Sequence, residues 1–273
     1  MIGVETRAAV HGRLELVFSP GPGGTTLAHT RVAAPLKIVR PFALDGGRAL
    51  VQVLTLGPGL CAGDASSIDI TVEPGARAVV VMQAASRILG MEAGAEARQS
   101  VALTVRADAQ LEYYPGLNLP FPDSSFVQRV HVAADAGARV GILEHWSMGR
   151  HSRGERLRFR RISSRTTVAI DNALAYADAI ELVPETTDVA AAGVLEQYGY
   201  VASGFWYGAS PDTQPIEPVN DTLIAFGYTA PGQVYLRALA NDGYAMGGLL
   251  QTAVDHINAS WNLEAIPLRR FTS

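Results

Sequence analysis

Three stretches of the chain repeat the same pattern of strand, tight turn and strand, and this repetition most strongly constrains the fold. They begin at Val72 (VEPGARAVVV), Val105 (VRADAQLEYY) and Val132 (VAADAGARVGIL). Each has a turn built on Gly, Asp or Pro, followed by a small Ala and a second strand. The units recur about every 30 residues, a spacing typical of stacked repeats. The pattern predicts a β-solenoid or a long stack of two sheets.

Alternation of apolar and polar residues supports the same fold. It is clearest in residues 67–72 (SIDITV) and 100–105 (SVALTV), where a period of two places successive side chains on opposite faces of a sheet. Strands of this kind dominate the first two thirds of the chain. We therefore predict an all-β protein whose body is a stacked β-sheet or β-helix-like structure.

About two α-helices are expected beside this body. In residues 241–263 the apolar side chains recur at steps of three and four, which predicts an amphipathic helix near the C-terminus. Asn241 or Asp242 can serve as its N-cap. A weaker helical pattern covers residues 187–197, although Gly193 interrupts it.

Composition sets limits on the class of protein. The 273 residues are 48% hydrophobic and 18% charged, with a formal net charge of -4, which favours one folded domain over residues 1–273. No basic field is present to attract nucleic acid or an anionic membrane. The N-terminal residues do not resemble a signal peptide, and no apolar run could span a bilayer. Together with a single cysteine, these features predict a soluble cytoplasmic protein.

A glycine-rich stretch, residues 57–67 (GPGLCAGDASS), raises the question of a phosphate-binding loop. Asp64 stands where a nucleotide-binding loop of the Walker type has lysine, and its carboxylate would repel phosphate. A strand pattern follows the glycines, whereas a dinucleotide loop needs the N-terminus of a helix there. The stretch is therefore interpreted as a tight turn. Asp64 remains either a turn residue or part of a polar site.

A second dense group of polar residues lies in residues 142–155 (ILEHWSMGRHSRGE). The apolar residues before Glu144 predict a strand that carries this carboxylate inward, near Arg150 and Glu155, although a solvated loop of ion pairs is an equal alternative. His145 and His151 do not have the spacing of a zinc site. The other histidines are scattered, so a tight structural metal site is not expected.

Several stretches, taken in order, resemble the UreD (also called UreH) family of urease accessory proteins, and the resemblance covers nearly the whole chain. They are residues 35–41 (PLKIVRP), 59–64 (GLCAGD), 74–77 (PGAR), 83–86 (QAAS), 111–115 (LEYYP), Gly149 and Arg150 with Glu155, and 266–271 (IPLRRF).

This resemblance implies a scaffold and nickel conduit, not an enzyme. It implies an all-β fold crossed by a polar channel, and partners UreF, the GTPase UreG and the urease apoprotein. No cofactor would be bound tightly, because Ni²⁺ would pass through only transiently. The residues that match the channel lining are Asp64, Ser86, Glu144 and Asp178, with Glu181 as the alternative to Asp178, whereas Gly63, Arg150 and Glu155 match structural or partner-related positions.

Carboxylate and water ligands exchange faster on Ni²⁺ than imidazole or thiolate, which suits transit better than storage. Two other functions remain open. A β-solenoid carbohydrate-active enzyme could use Asp64 and Glu144 as its carboxylate pair. A docking platform could use its acids only to hold turns and contact its partners through the helix in residues 241–263.

Overall fold

The computed structural model describes residues 8–209, 216–217 and 222–272. Within these residues the chain forms 18 strands and two α-helices. The strands are β1 His11–Gly21, β2 Gly24–Ala33, β3 Leu36–Ile38, β4 Phe42–Ala43, β5 Ala49–Thr55, β6 Ala65–Val72, β7 Arg77–Gln83, β8 Ser86–Ile88, β9 Ala97–Val105, β10 Gln110–Tyr114, β11 Leu117–Pro120, β12 Ser125–Ala134, β13 Arg139–Ser147, β14 Arg161–Ile170, β15 Ala173–Leu182, β16 Tyr200–Tyr207, β17 Thr222–Ala230 and β18 Gln233–Ala240. The helices are α1 Gly243–Ser260 and α2 Arg269–Thr272.

The strands form two sheets that the chain visits in turn. Sheet A has seven strands in the order β15-β14-β12-β9-β6-β1-β2, and sheet B runs β17-β18-β16-β13-β10-β7-β5-β3 with short strands attached. Between β5 and β14 the chain alternates between the sheets, and each long strand pairs in parallel with its counterpart in the next coil. This is the stacked, β-solenoid-like arrangement that the repeats predict.

The three repeated stretches are the turns that carry the chain from sheet A to sheet B. Two positions before the sheet B strand, the backbone is left-handed in every repeat, with φ of 75° at Gly75, 56° at Asp108 and 78° at Gly137. Gly and Asp are residues that tolerate this conformation. The next position is a buried alanine in every repeat, so that only a small side chain meets the core. The three turns therefore have similar sequences because each of them needs the same backbone conformation.

Three layers result: sheet A, sheet B and α1. Inward-facing aliphatic side chains of both sheets form the largest core cluster, which includes Leu16, Ile70, Val80 and Leu103. The opposite face of sheet B is covered by α1, and apolar residues of the helix are buried there. Both faces of sheet B are thus covered, which explains why β7 is almost continuously apolar and why every residue of β10 is buried.

The C-terminal helix is confirmed, and the weaker helical prediction is wrong. Asp242 caps α1, since its Oδ1 accepts a hydrogen bond of 2.8 Å from the amide of Ala245. Residues 187–197 form turns instead of a helix, because Gly193 (φ 79°) and Glu196 (φ 46°) take left-handed backbone conformations. The second helix is the short α2. Neither helix is long and apolar enough to cross a membrane.

Candidate functional site

A row of four polar side chains crosses the inner face of sheet A. Strand register aligns Ser66 of β6 with Gln99 of β9, Gln99 with Gln128 of β12, and Gln128 with Ser164 of β14. On β9 and β12 both neighbouring inward positions belong to the apolar core, whereas on β14 they are the apolar Ile162 and the polar Thr166. We call these four residues the polar row. The row brings polar groups of four parallel strands into one line, and Gln99 Nε2 donates a 3.1 Å hydrogen bond to Ser66 Oγ.

Glu144 lies opposite the far end of this row. On β13 it has the same orientation as the core residues Val140 and Ile142, so its side chain enters the space between the sheets. Gln128 Nε2 donates to Glu144 Oε1 at 2.6 Å, and Ser164 Oγ lies 3.0 and 3.1 Å from the two carboxylate oxygens. Glu144 thus joins the two sheets through the row.

The surroundings of Glu144 bring its protonation equilibrium close to neutrality. Burial raises the pKa of Glu144 to about 7, with the negative charge of Asp178 acting in the same direction and hydrogen bonds from Ser164 and Gln128 opposing it. Neither the neutral nor the ionised form is strongly preferred at neutral pH. The group can therefore gain or lose a proton at neutral pH with little change in free energy.

Asp178 shares a cavity with Glu144. It lies on β15, opposite Thr166 of β14 in the register, and its carboxylate forms an ion pair with the guanidinium of Arg237 on β18. This Glu144 cavity has about 20 Å³ available to water, more than the ~10–15 Å³ that one water molecule needs. Its other polar lining residues are Tyr113, Gln128, Thr166, Tyr176 and Ser203.

Ser86 lies at a second cavity, at the other end of the polar row. This Ser86 cavity has about 60 Å³ available to water and is also lined by Gln83, Ser66 and Gln99. The polar row therefore has two members at the Ser86 cavity and one, Gln128, at the Glu144 cavity. The glycine turn closes one side of the Ser86 cavity, because Gly57 and Gly59 line it.

The side chain of Asp64 stabilises the glycine turn through hydrogen bonds to the backbone. It is 4% exposed, and its two oxygens accept hydrogen bonds from the amides of Val10 (2.8 Å) and Cys61 (2.9 Å). Gly63 before it has a positive φ of 76°, as expected for a tight turn. The strand β6 follows at once, so the turn interpretation of this stretch is confirmed. Asp64 lines neither cavity, and this geometry does not form the catalytic pair with Glu144 that a hydrolase would need.

The remaining sequence candidates lie outside the two cavities. Glu181, the alternative to Asp178, pairs with Arg161 at 2.8 Å, and its side chain is half exposed. Arg150 binds both oxygens of Glu155, at 2.5 and 2.7 Å, and its guanidinium lies 4.0 Å from the Phe121 ring centre. Arg150 and Glu155 hold a loop together, consistent with a structural position.

Sequence patterns missed most of the polar row and Arg237. One signal was present: Gln99 and Gln128 interrupt the apolar positions of alternating strands. Arg237 had no such signal, because its partner is 59 residues away on the other sheet. Among the described residues, no group of three or more His, Cys, Asp or Glu side chains is placed to hold a metal ion.

Comparisons with known proteins agree on one family. The sequence model of the family described as UreD urease accessory protein matches residues 10–272. Urease accessory protein UreD 1 of Synechococcus sp. (strain JA-3-3Ab) is 36% identical over 230 residues, which are 84% of this chain and 85% of the relative. Urease accessory protein UreD of Deinococcus radiodurans is 35% identical over 248 residues, 90% and 88% of the two chains. That of Haloarcula marismortui is 28% identical over 263 residues, 94% and 87% of the two chains.

Proposed function

The chain belongs to the UreD family of urease accessory proteins, and we propose that during urease maturation it conducts Ni²⁺ between its two sheets, along the polar row. One observation carries the proposal: the row extends from the Ser86 cavity to Glu144 across an inner sheet face on which apolar side chains predominate. Such a line of buried polar groups destabilises a core unless its members are hydrogen-bonded or hydrated. A conducting role explains why it is there.

The candidate ligands along the polar row would bind Ni²⁺ weakly enough to release it. Serine hydroxyls, glutamine carbonyls and single carboxylates hold Ni²⁺ more weakly than imidazole or thiolate does. Conduction needs sites that attract the ion and then release it. Glu144, with its pKa near 7, loses a proton when a cation arrives and regains it when the cation leaves. The nickel ion is the cargo, and no cofactor is bound tightly.

We assign the chain a scaffold role with no catalysis of its own. Its partners in this proposal are UreF, the GTPase UreG and the urease apoprotein, in the cytoplasm. The two-sheet body would supply the route for the ion within this complex. Support comes from the family and from the interior geometry.

The test neutralises the two carboxylates of the Glu144 cavity. Glu144→Gln and Asp178→Asn keep the size of each side chain and remove its charge. In cells that express urease and its accessory proteins, we expect each variant to lower urease activation roughly tenfold, equivalent to ~1.4 kcal/mol in a barrier. Copurification of the accessory complex should stay unchanged, because both residues lie inside the protein.

Glu181→Gln is the matched control. It lies on the same strand as Asp178, on the other face, and should leave activation at the wild-type level. Full activation in a Glu144→Gln/Asp178→Asn double variant, with the complex intact, would refute conduction through this cavity and leave the docking platform as the function.

A further inference from the structure

We propose that Arg237 is a cationic plug, which closes the Glu144 cavity toward the protein surface and leaves Asp178 when a divalent cation takes its place there. This inference rests on the proposed function and adds a gate to it. A gate decides where the ion can leave, a property that a row of ligands alone does not provide.

The position of Arg237 supports this role. Its ion pair with Asp178 joins β15, an edge strand of sheet A, to β18 of sheet B. Asp178 lines the Glu144 cavity inside, whereas Arg237 lines an open groove of about 400 Å³ outside. The side chains are 15% and 39% exposed, respectively. The pair thus lies between the cavity and the groove.

The strength of the pair suits a movable wall. Because the guanidinium of this ion pair is partly exposed to solvent, the pair contributes little to stability and separating the two groups costs little. At equal distance a divalent cation attracts a carboxylate twice as strongly as a guanidinium does, and it also repels the guanidinium. Arginine cannot become neutral by losing a proton. It must therefore move away when the ion arrives.

The groove provides space for the displaced side chain. It is lined by Val201 and Leu239, along which the methylene groups of an arginine can lie while the charged end faces water. Among the described residues, no second carboxylate forms an ion pair with Arg237. Arg161, by contrast, is held by both Glu96 and Glu181. Within the described residues, Arg237 therefore has one ion pair to break, whereas Arg161 has two.

Ni²⁺ binding to the purified, tag-free full-length chain tests the plug. Arg237→Gln removes the competing charge, and we expect it to raise the affinity for Ni²⁺ about tenfold in isothermal titration. Arg237→Lys keeps the charge and should stay close to wild type. Asp178→Asn should weaken binding, and the double variant Arg237→Gln/Asp178→Asn should bind no better than Asp178→Asn alone. Arg161→Gln is the matched control and should change nothing.

The outcomes separate the plug from the conduit. If Arg237→Gln binds Ni²⁺ like wild type and only lowers the melting temperature, Arg237 is a structural cross-link and the plug is wrong. If in that case Glu144→Gln and Asp178→Asn still lower urease activation, the conduit stands without it. If neither of these two variants changes Ni²⁺ binding or activation, the conduit and the plug both fall.

Discussion

Arg48 and Glu112, separated by 64 residues in sequence, form an ion pair of 2.9 Å (Nη1–Oε1) between sheet B and α1. The two residues are 2% and 0% exposed. Asn258 of α1 completes the group, because it accepts from Arg48 at 2.8 Å and donates to Glu112 at 2.9 Å. This buried network fixes the helix on the sheet.

Removing one member of the network should destabilise the protein strongly. Glu112→Ala leaves the Arg48 guanidinium buried without its carboxylate, and we expect a loss of about 3–5 kcal/mol in the free energy of unfolding, measured by urea denaturation. Replacing both charges by apolar residues of similar size, as in Arg48→Met/Glu112→Leu, should restore most of the loss. A change below about 1 kcal/mol in Glu112→Ala would contradict the role of this pair.

Asp45 makes part of this stability dependent on pH. Burial raises the pKa of the Asp45 carboxyl, but the amide of Glu264 and the guanidinium of Arg48 lower it more, so that the pKa lies below its usual value. A carboxyl group whose pKa is lower in the folded state stabilises the fold at pH values above its pKa in the unfolded state. This stabilisation is lost as the pH falls through the pKa of the folded state. We expect Asp45→Asn to lose stability relative to wild type at neutral pH, and the difference to shrink below pH 3.8.

Acid unfolding curves followed by circular dichroism provide the measurement. Asp69→Asn is the control, since Asp69 is exposed on β6 and its substitution should move neither limb of the curve. A constant difference between Asp45→Asn and wild type from pH 7 to pH 2 would mean that Asp45 acts through its shape and not through its charge.

Asp64→Asn tests whether the glycine turn needs a carboxylate. Both Asp64 oxygens accept backbone amides, and an asparagine would turn a donor toward one of them. We expect a loss of about 1–3 kcal/mol in the free energy of unfolding, because a buried amide is left unpaired. Urea denaturation measures it. If stability is unchanged while urease activation falls, Asp64 belongs to the path of the ion instead of the turn.

The sequence could predict those features of the fold that depend on residues close together in the chain. The repeated turns were predictable, because Gly75 and Asp108 show in the sequence that a left-handed backbone is needed. The helix α1 was predictable from its period and from Asp242. The turns at residues 187–197 were not, since the left-handed conformation of Glu196 leaves no mark in a residue type that favours helices.

The site was predictable only in part, for a similar reason. Glu144 follows an apolar strand, so its inward orientation could be inferred from neighbours in sequence. The polar row is different, because Ser66 and Gln128 become members of one line only when the register of four strands is known. The pairing of Asp178 with Arg237 needs the relative placement of two sheets. Such contacts are set by tertiary structure, which no local pattern encodes.

Gly149 offers a test of the loop that carries Arg150 and Glu155. A Cβ at Gly149 would lie 2.0 Å from the carbonyl oxygen of Glu155, and its φ is 123°. Gly149→Ala therefore combines backbone strain with a clash, and we expect a loss of about 3–5 kcal/mol or failure to fold. Gly154→Ala is the matched control: its φ is also positive, at 67°, but no atom lies within 4 Å of the added Cβ. It should cost about 1–2 kcal/mol, measured by thermal denaturation.

Gln128→Leu tests whether the polar row conducts or only fills space. The leucine has nearly the same size, but it removes the donor to Glu144 and interrupts the row at its centre. Among its neighbours in the apolar core, it should leave the free energy of unfolding within about 1.5 kcal/mol of wild type. If the ion passes along the row as proposed, it would meet a dry step between the cavities, and we expect urease activation to fall roughly tenfold. Val132→Ile, a substitution on the same face of β12 that leaves the row intact and lines neither cavity, is the control. Equal activation in Gln128→Leu and Val132→Ile would show that the ion does not pass along the row.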